Sequence, residues 1–321
     1  MSSNVNLRKE KFYMEKSINS IQAVGTIEEL NFKIETKEVT LKGNGKEKKV
    51  TCKQIIKSNW ANPNITINSN GNIIGFNFYP TNEKKLDDNG EVVDNPRFKA
   101  LQTIMEYTKG TRVKVDGSFA NNEYVNDAGE FKSLVTLYAF TVTSTNVGDE
   151  DYCDGSLSGV IKSIKPEMKG EDETGRKIVE FLYLNSSLDV FPINLILDAD
   201  LVDAFEDRYS KGDSVVLDIE CTTRTVGNTK KSDGFGRQSH RVSGYTVTEY
   251  KIFSGGNVLN EENKNYLDKS DVKKKLEERD VMIEQKIKDK KSGVKKGFDS
   301  ASVKKKDEEF VEVEDEDDPF A

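Results

Sequence analysis

Across 321 residues, 48 Lys and Arg face 56 Asp and Glu, and the composition is 35% hydrophobic and 32% charged; that length allows two or three domains, and that polarity predicts that part of the chain stays unpacked. A single histidine, His240, and three well-separated cysteines, Cys52, Cys153 and Cys221, with no CxxC pair, argue against zinc sites, histidine-based triads and a disulfide framework, so no metal and no cofactor is expected. No stretch approaches the ~18 apolar residues of a membrane span, and the opening "MSSNVNLRKEKFYMEK" lacks the apolar run of a secretory signal, which points to a cytoplasmic protein without membrane contact.

Residues 1–16 read as an N-terminal arm. Residues 17–147 read as a first domain, mostly strand. It opens on "AVGTIEEL" (Ala23–Leu30), and "KGNGKEKK" (Lys42–Lys49) reads as a hairpin tip. "NPNITINSNGNIIGFNFYP" supplies a strand pair whose Ile74, Phe76 and Phe78 share one face by parity, which makes them core. A polar excursion with Asn-Gly turn signals follows, then a short helix in "NPRFKALQTIMEYTK" stopped by Gly110. "RVKVDGSF" alternates Val113 and Val115 inward with Arg112 and Lys114 outward, and leads through the hairpin "FANNEYVNDAGEFKS" to a last strand at "AFTVTS" (Ala139–Ser144).

Residues 155–256 repeat this order. "LSGVIKSI" (Leu157–Ile164) resembles Ala23–Leu30, "YSKGDSVVLDI" (Tyr209–Ile219) lines up with "YTKGTRVKVDG" (Tyr107–Gly117), and "GYTVTE" (Gly244–Glu249) lines up with Ala139–Ser144. Strands, one helix, a glycine, a strand, a hairpin and a final strand are the layout of an OB-fold. The expected fold is therefore mainly β: two tandem OB-fold-like five-stranded barrels. Residues 257–292 read as a charged helix or linker, with Val272, Leu276, Ile283 and Ile287 near one face and Ser270 or Asp271 able to cap. Residues 293–321 read as a disordered tail, basic and then acidic.

Charge is segregated. Lys and Arg less Asp and Glu come to +3 over residues 1–146, −7 over 147–256, +6 over 281–306 and −9 over the last fifteen residues. The overall acidity is thus largely the tail's, and it does not exclude a nucleic-acid partner. "KVDG" (Lys114–Gly117) matches the KxDG motif of nucleotidyltransferases such as DNA ligases. The repeat places Val216 in the same slot, which makes Lys114 an outward strand residue rather than a nucleophile. No phosphate loop and no acid–base carboxylate pair is present, so no enzyme is expected.

What remains fits single-stranded nucleic acid, held by aromatic faces under bases and cations along the backbone. The candidate contacts in the first domain are Lys48, Lys49, Lys53, Lys57, Trp60, Tyr79, Arg112, Lys114, Tyr124, Phe131 and Lys132. In the second they lie on a basic hairpin, as Arg224, Lys230, Lys231, Phe235, Arg237 and Arg241.

The chain ends "EDEDDPFA". With Asp315, Asp317, Asp318, Pro319 and Phe320 it resembles bacterial single-stranded DNA-binding proteins, which close a disordered acidic tail with an Asp-rich Pro-Phe tip, and phage-encoded single-stranded DNA-binding proteins with acidic tails. It departs from the bacterial tip in having Asp318 before the proline and Ala321 after the phenylalanine. The resemblance implies a non-catalytic binder of single-stranded DNA in replication, recombination and repair, phage-encoded or phage-derived in a bacterial cytoplasm, whose tail recruits replication or recombination proteins. The competing readings are an OB-fold adaptor that binds no nucleic acid and a ligase-type enzyme.

Overall fold

Period-two alternation of buried and outward residues runs along most of the chain and sets its architecture. The computed structural model describes residues 17–56, 63–185, 187–229 and 242–292. The first half forms β1 (Asn19–Asn31), β2 (Lys33–Gly43), β3 (Lys46–Ile56), β4 (Asn64–Ser69), β5 (Asn72–Asn77), β6 (Thr81–Asn82), β7 (Lys84–Leu86), β8 (Val92–Asp94), helix α1 (Pro96–Met105), β9 (Arg112–Val125) and β10 (Phe131–Ser144). The second half forms β11 (Tyr152–Lys169), β12 (Asp172–Leu184), β13 (Val190–Leu197), a 3-10 turn at Ala199–Leu201, α2 (Val202–Glu206), β14 (Ser214–Thr229), β15 (Val242–Gly255) and α3 (Lys269–Lys291).

Each half closes a five-stranded barrel. The first runs β1–β4–β5–β10–β9 and back to β1; the second runs β11–β12–β13–β15–β14 and back to β11. In both, the third and fifth strands pair in parallel and all other neighbours are antiparallel. With the helix between the third and fourth strands, this is the OB-fold twice over. Asn-Gly turns bend the first barrel's hairpins: Asn44 and Gly45, then Asn70 and Gly71, all take positive φ, as tight two-residue turns require.

The repeat extends to single bonds. Gly110 and Gly212 both sit at φ +87°, where a side chain is strained. Their amides donate to the carbonyls of Ile27 (2.8 Å) and Ile161 (2.7 Å). A Cβ on Gly25 would lie 2.3 Å from the Asn68 carbonyl oxygen, and one on Gly159 would lie 2.2 Å from that of Leu182. The last strand, however, is shifted from the expected match. Gly117 pairs with Ala139 and Ile219 with Ile252, each beside a one-residue bulge. Ala139–Ser144 therefore corresponds to the segment starting at Ile252, not to Gly244–Glu249. The β14–β15 hairpin is longer than β9–β10, and the shared Thr-Val-Thr string is coincidental.

The barrels join edge to edge. β1 and β11 pair antiparallel from Asn19↔Leu157 to Val24↔Tyr152, and one continuous core runs through both barrels. Phe119 of the first barrel meets Tyr250 of the second edge-on, with centroids 5.6 Å apart.

Helix α3 begins at Asp268, whose carboxylate accepts from the amides of Ser270 and Asp271; the cap is therefore neither of the expected residues. Val272 and Leu276 pack with Leu267 on Val160, Leu182, Leu184 and Val190, on the outside of the second barrel. Register explains why the helix lies there. Val160↔Leu182 of the second barrel is Thr26↔Asn68 in the first, and a polar outer face gives an apolar helix face no surface to cover.

Candidate nucleic-acid interface

The face of an OB barrel built on its second and third strands, flanked by the loops after its first and fourth strands, is where oligonucleotides are held. In the first barrel the loop after β1 is the β2–β3 hairpin. It leans over the β6–β8 excursion, held by Asn44 Nδ2 to the Asp88 carbonyl (3.0 Å) and by Lys48 to Glu91 (3.3 Å). Leu41 on β2 and Cys52 and Ile55 on β3 are the hairpin's buried residues. Across this face the second barrel contributes β14. The amide of Thr223 donates to Asn72 Oδ1 on β5 at 2.8 Å. The relation is reciprocal: Asn121 on β9 donates to the Pro192 carbonyl (3.1 Å) and accepts from the Tyr183 hydroxyl (2.6 Å) in the second barrel.

On the open face Tyr79, 50% exposed, stacks on Tyr138 with centroids 4.3 Å apart and planes at 18°. The Arg97 guanidinium lies 5.9 Å from the Tyr79 centroid. Phe140 projects from the β10 bulge, 54% exposed, and Leu134 and Tyr124 are exposed on the same hairpin. Exposed aromatics of this number are an unusual use of surface unless something covers them.

The second barrel shows that the fold does not require this stack. Tyr138 lies two residues before the bulge residue Phe140, and its parallel partner Asn77 lies two before Tyr79. Counting the same way, Lys251 precedes Phe253, and its partner Ile196 precedes Asp198. Where the first barrel stacks two tyrosines, the second makes a Lys251–Asp198 ion pair of 3.1 Å. That pair belongs to a self-neutralised network in which Arg176 meets Glu167 (2.7 Å), Glu249 (3.3 Å) and Asp198 (3.7 Å), and Glu249 also holds Arg224. Hydrogen bonding to Arg176 keeps the Glu167 carboxyl below its ordinary pKa. Among the described residues, carboxylates thus already pair with Arg176, Arg224 and Lys251 of the second barrel, whereas the first barrel's face presents rings.

The expected contacts fall into distinct places. Tyr79 is outward and central to the site. Lys48 and Lys49 lie on β3 and pair with Glu91 and Glu38. Lys53 is exposed on the same strand, and Lys114 is half-buried on β9 between the buried Val113 and Val115. Arg112 is committed elsewhere: its guanidinium pairs with Asp151 at 2.5 Å and is 15% exposed, tying β9 to the segment between the barrels. On the β9–β10 hairpin, Tyr124 is exposed and Lys132 pairs with Glu130 (2.9 Å). Phe131 lies 5.8 Å from the Arg279 guanidinium of α3, which is equally close to Phe191. Arg224 is exposed but bound to Glu249. Lys57, Trp60, Lys230, Lys231, Phe235, Arg237, Arg241 and the tail residues Asp315, Asp317, Asp318, Pro319 and Phe320 lie outside the described residues.

Sequence reasoning left Tyr138, Phe140 and Arg97 out of the site. Parity along a strand was available for Tyr138. The bulges that turn out Phe140 and Phe253 carry no sequence signal of their own. Among the described residues no group of His, Cys, Asp and Glu is arranged to hold a metal ion, and no helix is long and apolar enough to cross a membrane.

Fold and site together define a tandem OB-fold protein with one ring-bearing barrel face and one self-neutralised face. No curated protein matches the chain in sequence. Residues 17–292 match the profile of the YorF family, and the chain belongs to that family. Among solved structures it is similar to the wild-type single-stranded DNA binding protein from Thermus aquaticus, at 10% identity and a TM-score of 0.41 over 76% of this chain and 95% of that one. A deletion mutant of the same protein gives 12% identity and 0.41 over 77% and 97%.

Proposed function

We propose that the chain is a non-catalytic, sequence-tolerant binder of single-stranded DNA that protects strands opened during replication, recombination and repair, in the cytoplasm of a bacterial or phage-infected cell. The observation that carries this reading is the exposed Tyr79–Tyr138 stack, with Arg97 over it, in a slot that the sister barrel fills with an ion pair. Bases have π-faces whatever their identity, and each stacked base contributes ~1–3 kcal/mol. Stacking on the first barrel is joined by cations on the backbone, so affinity falls as salt rises. Lys230, Lys231, Arg237 and Arg241, which lie outside the described residues, add further cations for the DNA backbone. The −9 tail competes for these cations until DNA displaces it, and Pro319 and Phe320 then give replication or recombination proteins an apolar anchor.

The test is fluorescence anisotropy of a labelled oligo-dT of about thirty nucleotides, titrated with the full chain and with a chain ending at Lys306, at low and high salt. The expected outcome is salt-sensitive binding that tightens when the tail is removed. No binding by either chain at low salt contradicts the reading and favours an adaptor without nucleic acid.

A further inference from the structure

Beside Tyr79 the β2–β3 hairpin and the β6–β8 excursion border an open cleft of about 460 Å³, within the size range of small-ligand sites. Its wall combines Lys42, Lys84, Lys85 and Arg97 with the Tyr79 ring and the aliphatic side chains of Leu41 and Leu86, and no Asp or Glu lines it. In a chain with more acids than bases, an acid-free concavity with four cations is built for an anion. Lys42 and Lys84 are steadied by Glu47 (3.0 Å) and Asp94 (2.6 Å), neither of which lines the cleft. Lys85 and Arg97 form no ion pair among the described residues. A phosphate alone would not need Tyr79, Leu41 and Leu86; a ring and a sugar would.

We infer that this cleft holds one nucleotide turned out of the strand's path, with its phosphate against Lys85 and Arg97 and its base and sugar against Tyr79, Leu41 and Leu86. The inference rests on the single-stranded DNA reading and deepens it: the strand lies across the ring-bearing face and is pinned by a single inserted unit. Pinning through base shape and phosphate, without a hydrogen-bonding code, keeps the site tolerant of sequence.

The experiment is isothermal titration of the full chain with thymidine 5′-monophosphate, thymidine and inorganic phosphate, repeated with Lys85→Glu, with oligo-dT titrated in parallel. Lys85 is exposed, so charge reversal there leaves the fold intact, which an unchanged melting temperature verifies. The expected result is one monophosphate per chain, at least about tenfold weaker binding of thymidine and of phosphate, and at least a tenfold loss in Lys85→Glu. Oligo-dT binding without monophosphate binding overturns the inserted nucleotide and leaves the DNA reading standing. Phosphate bound as tightly as the monophosphate overturns the base-and-sugar part, and an unaffected Lys85→Glu overturns the location. Failure of the unmodified chain to bind oligo-dT removes both readings.

Discussion

Asp154 faces Glu220 directly across the β11–β14 ladder, and Asp218 lies nearby. Burial first, and these two carboxylates next, raise its pKa above the ordinary value. A carboxyl whose folded pKa is raised binds its proton more tightly folded than unfolded. Its charge therefore costs stability at neutral pH, and the cost is relieved as pH falls through the folded pKa. Asp154→Asn should raise the melting temperature at neutral pH, with the gain shrinking toward acid; an equal gain at both ends of the pH range contradicts the electrostatic account. Single residues of this kind show what could be read in advance. Ile74, Phe76 and Phe78 are buried and Tyr79 is exposed, as strand parity requires. Phe140 and Phe253 escape parity because each is the extra residue of a bulge, and Arg112 looks like a free outward cation until the partner Asp151 is brought to it by the fold.

Helix α3 is the element whose role was least legible. Its charges and one apolar face fit either a helix lying on the body or a linker; it is the helix, its first turns complete an apolar cluster on the second barrel, and Arg279 reaches the first. Arg279 contacts Glu123 at 2.5 Å with side chains 12% and 9% exposed, and Lys286 and Lys290 reach Glu123 and Asp127. Breaking such a buried pair costs ~3–5 kcal/mol because the remaining charge is stranded. Arg279→Ala should lower the unfolding free energy by about that amount in urea denaturation, and Glu123→Gln by less, since Arg279 keeps both rings and one amide acceptor. The double substitution should cost less than the two single losses together. Strict additivity would mean that the pair is not coupled. Repeats, hairpins and turn glycines were legible here because they are local. Where α3 docks was not, because it depends on Val160 and Leu182 becoming neighbours through strand register.

At the scale of the whole molecule, two copies of one fold have diverged in use. Both keep the five-strand order, the φ +87° glycine and the close-approach glycine. One outer face has turned apolar and accepted α3, and the equivalent ring-stack slot has become an ion pair. The other retains a polar strand face with exposed rings and a cationic cleft. Net charge follows the same division, positive over the first barrel and negative over the second. The segregation was plain in the sequence; that a ring stack in one barrel stands where an ion pair stands in the other emerges only when equivalent strands are aligned by hydrogen-bond register.

Photo-cross-linking shows which barrel face single-stranded DNA lies against. Oligo-dT carrying iodouridine would be irradiated with the full chain, and the attached peptides mapped by mass spectrometry. If DNA lies on the ring-bearing face of the first barrel, adducts form at Tyr79, Tyr138 and Phe140 and are lost when unlabelled oligo-dT competes. Adducts confined to β12 and β13 of the second barrel, or none at saturating DNA, would contradict that placement.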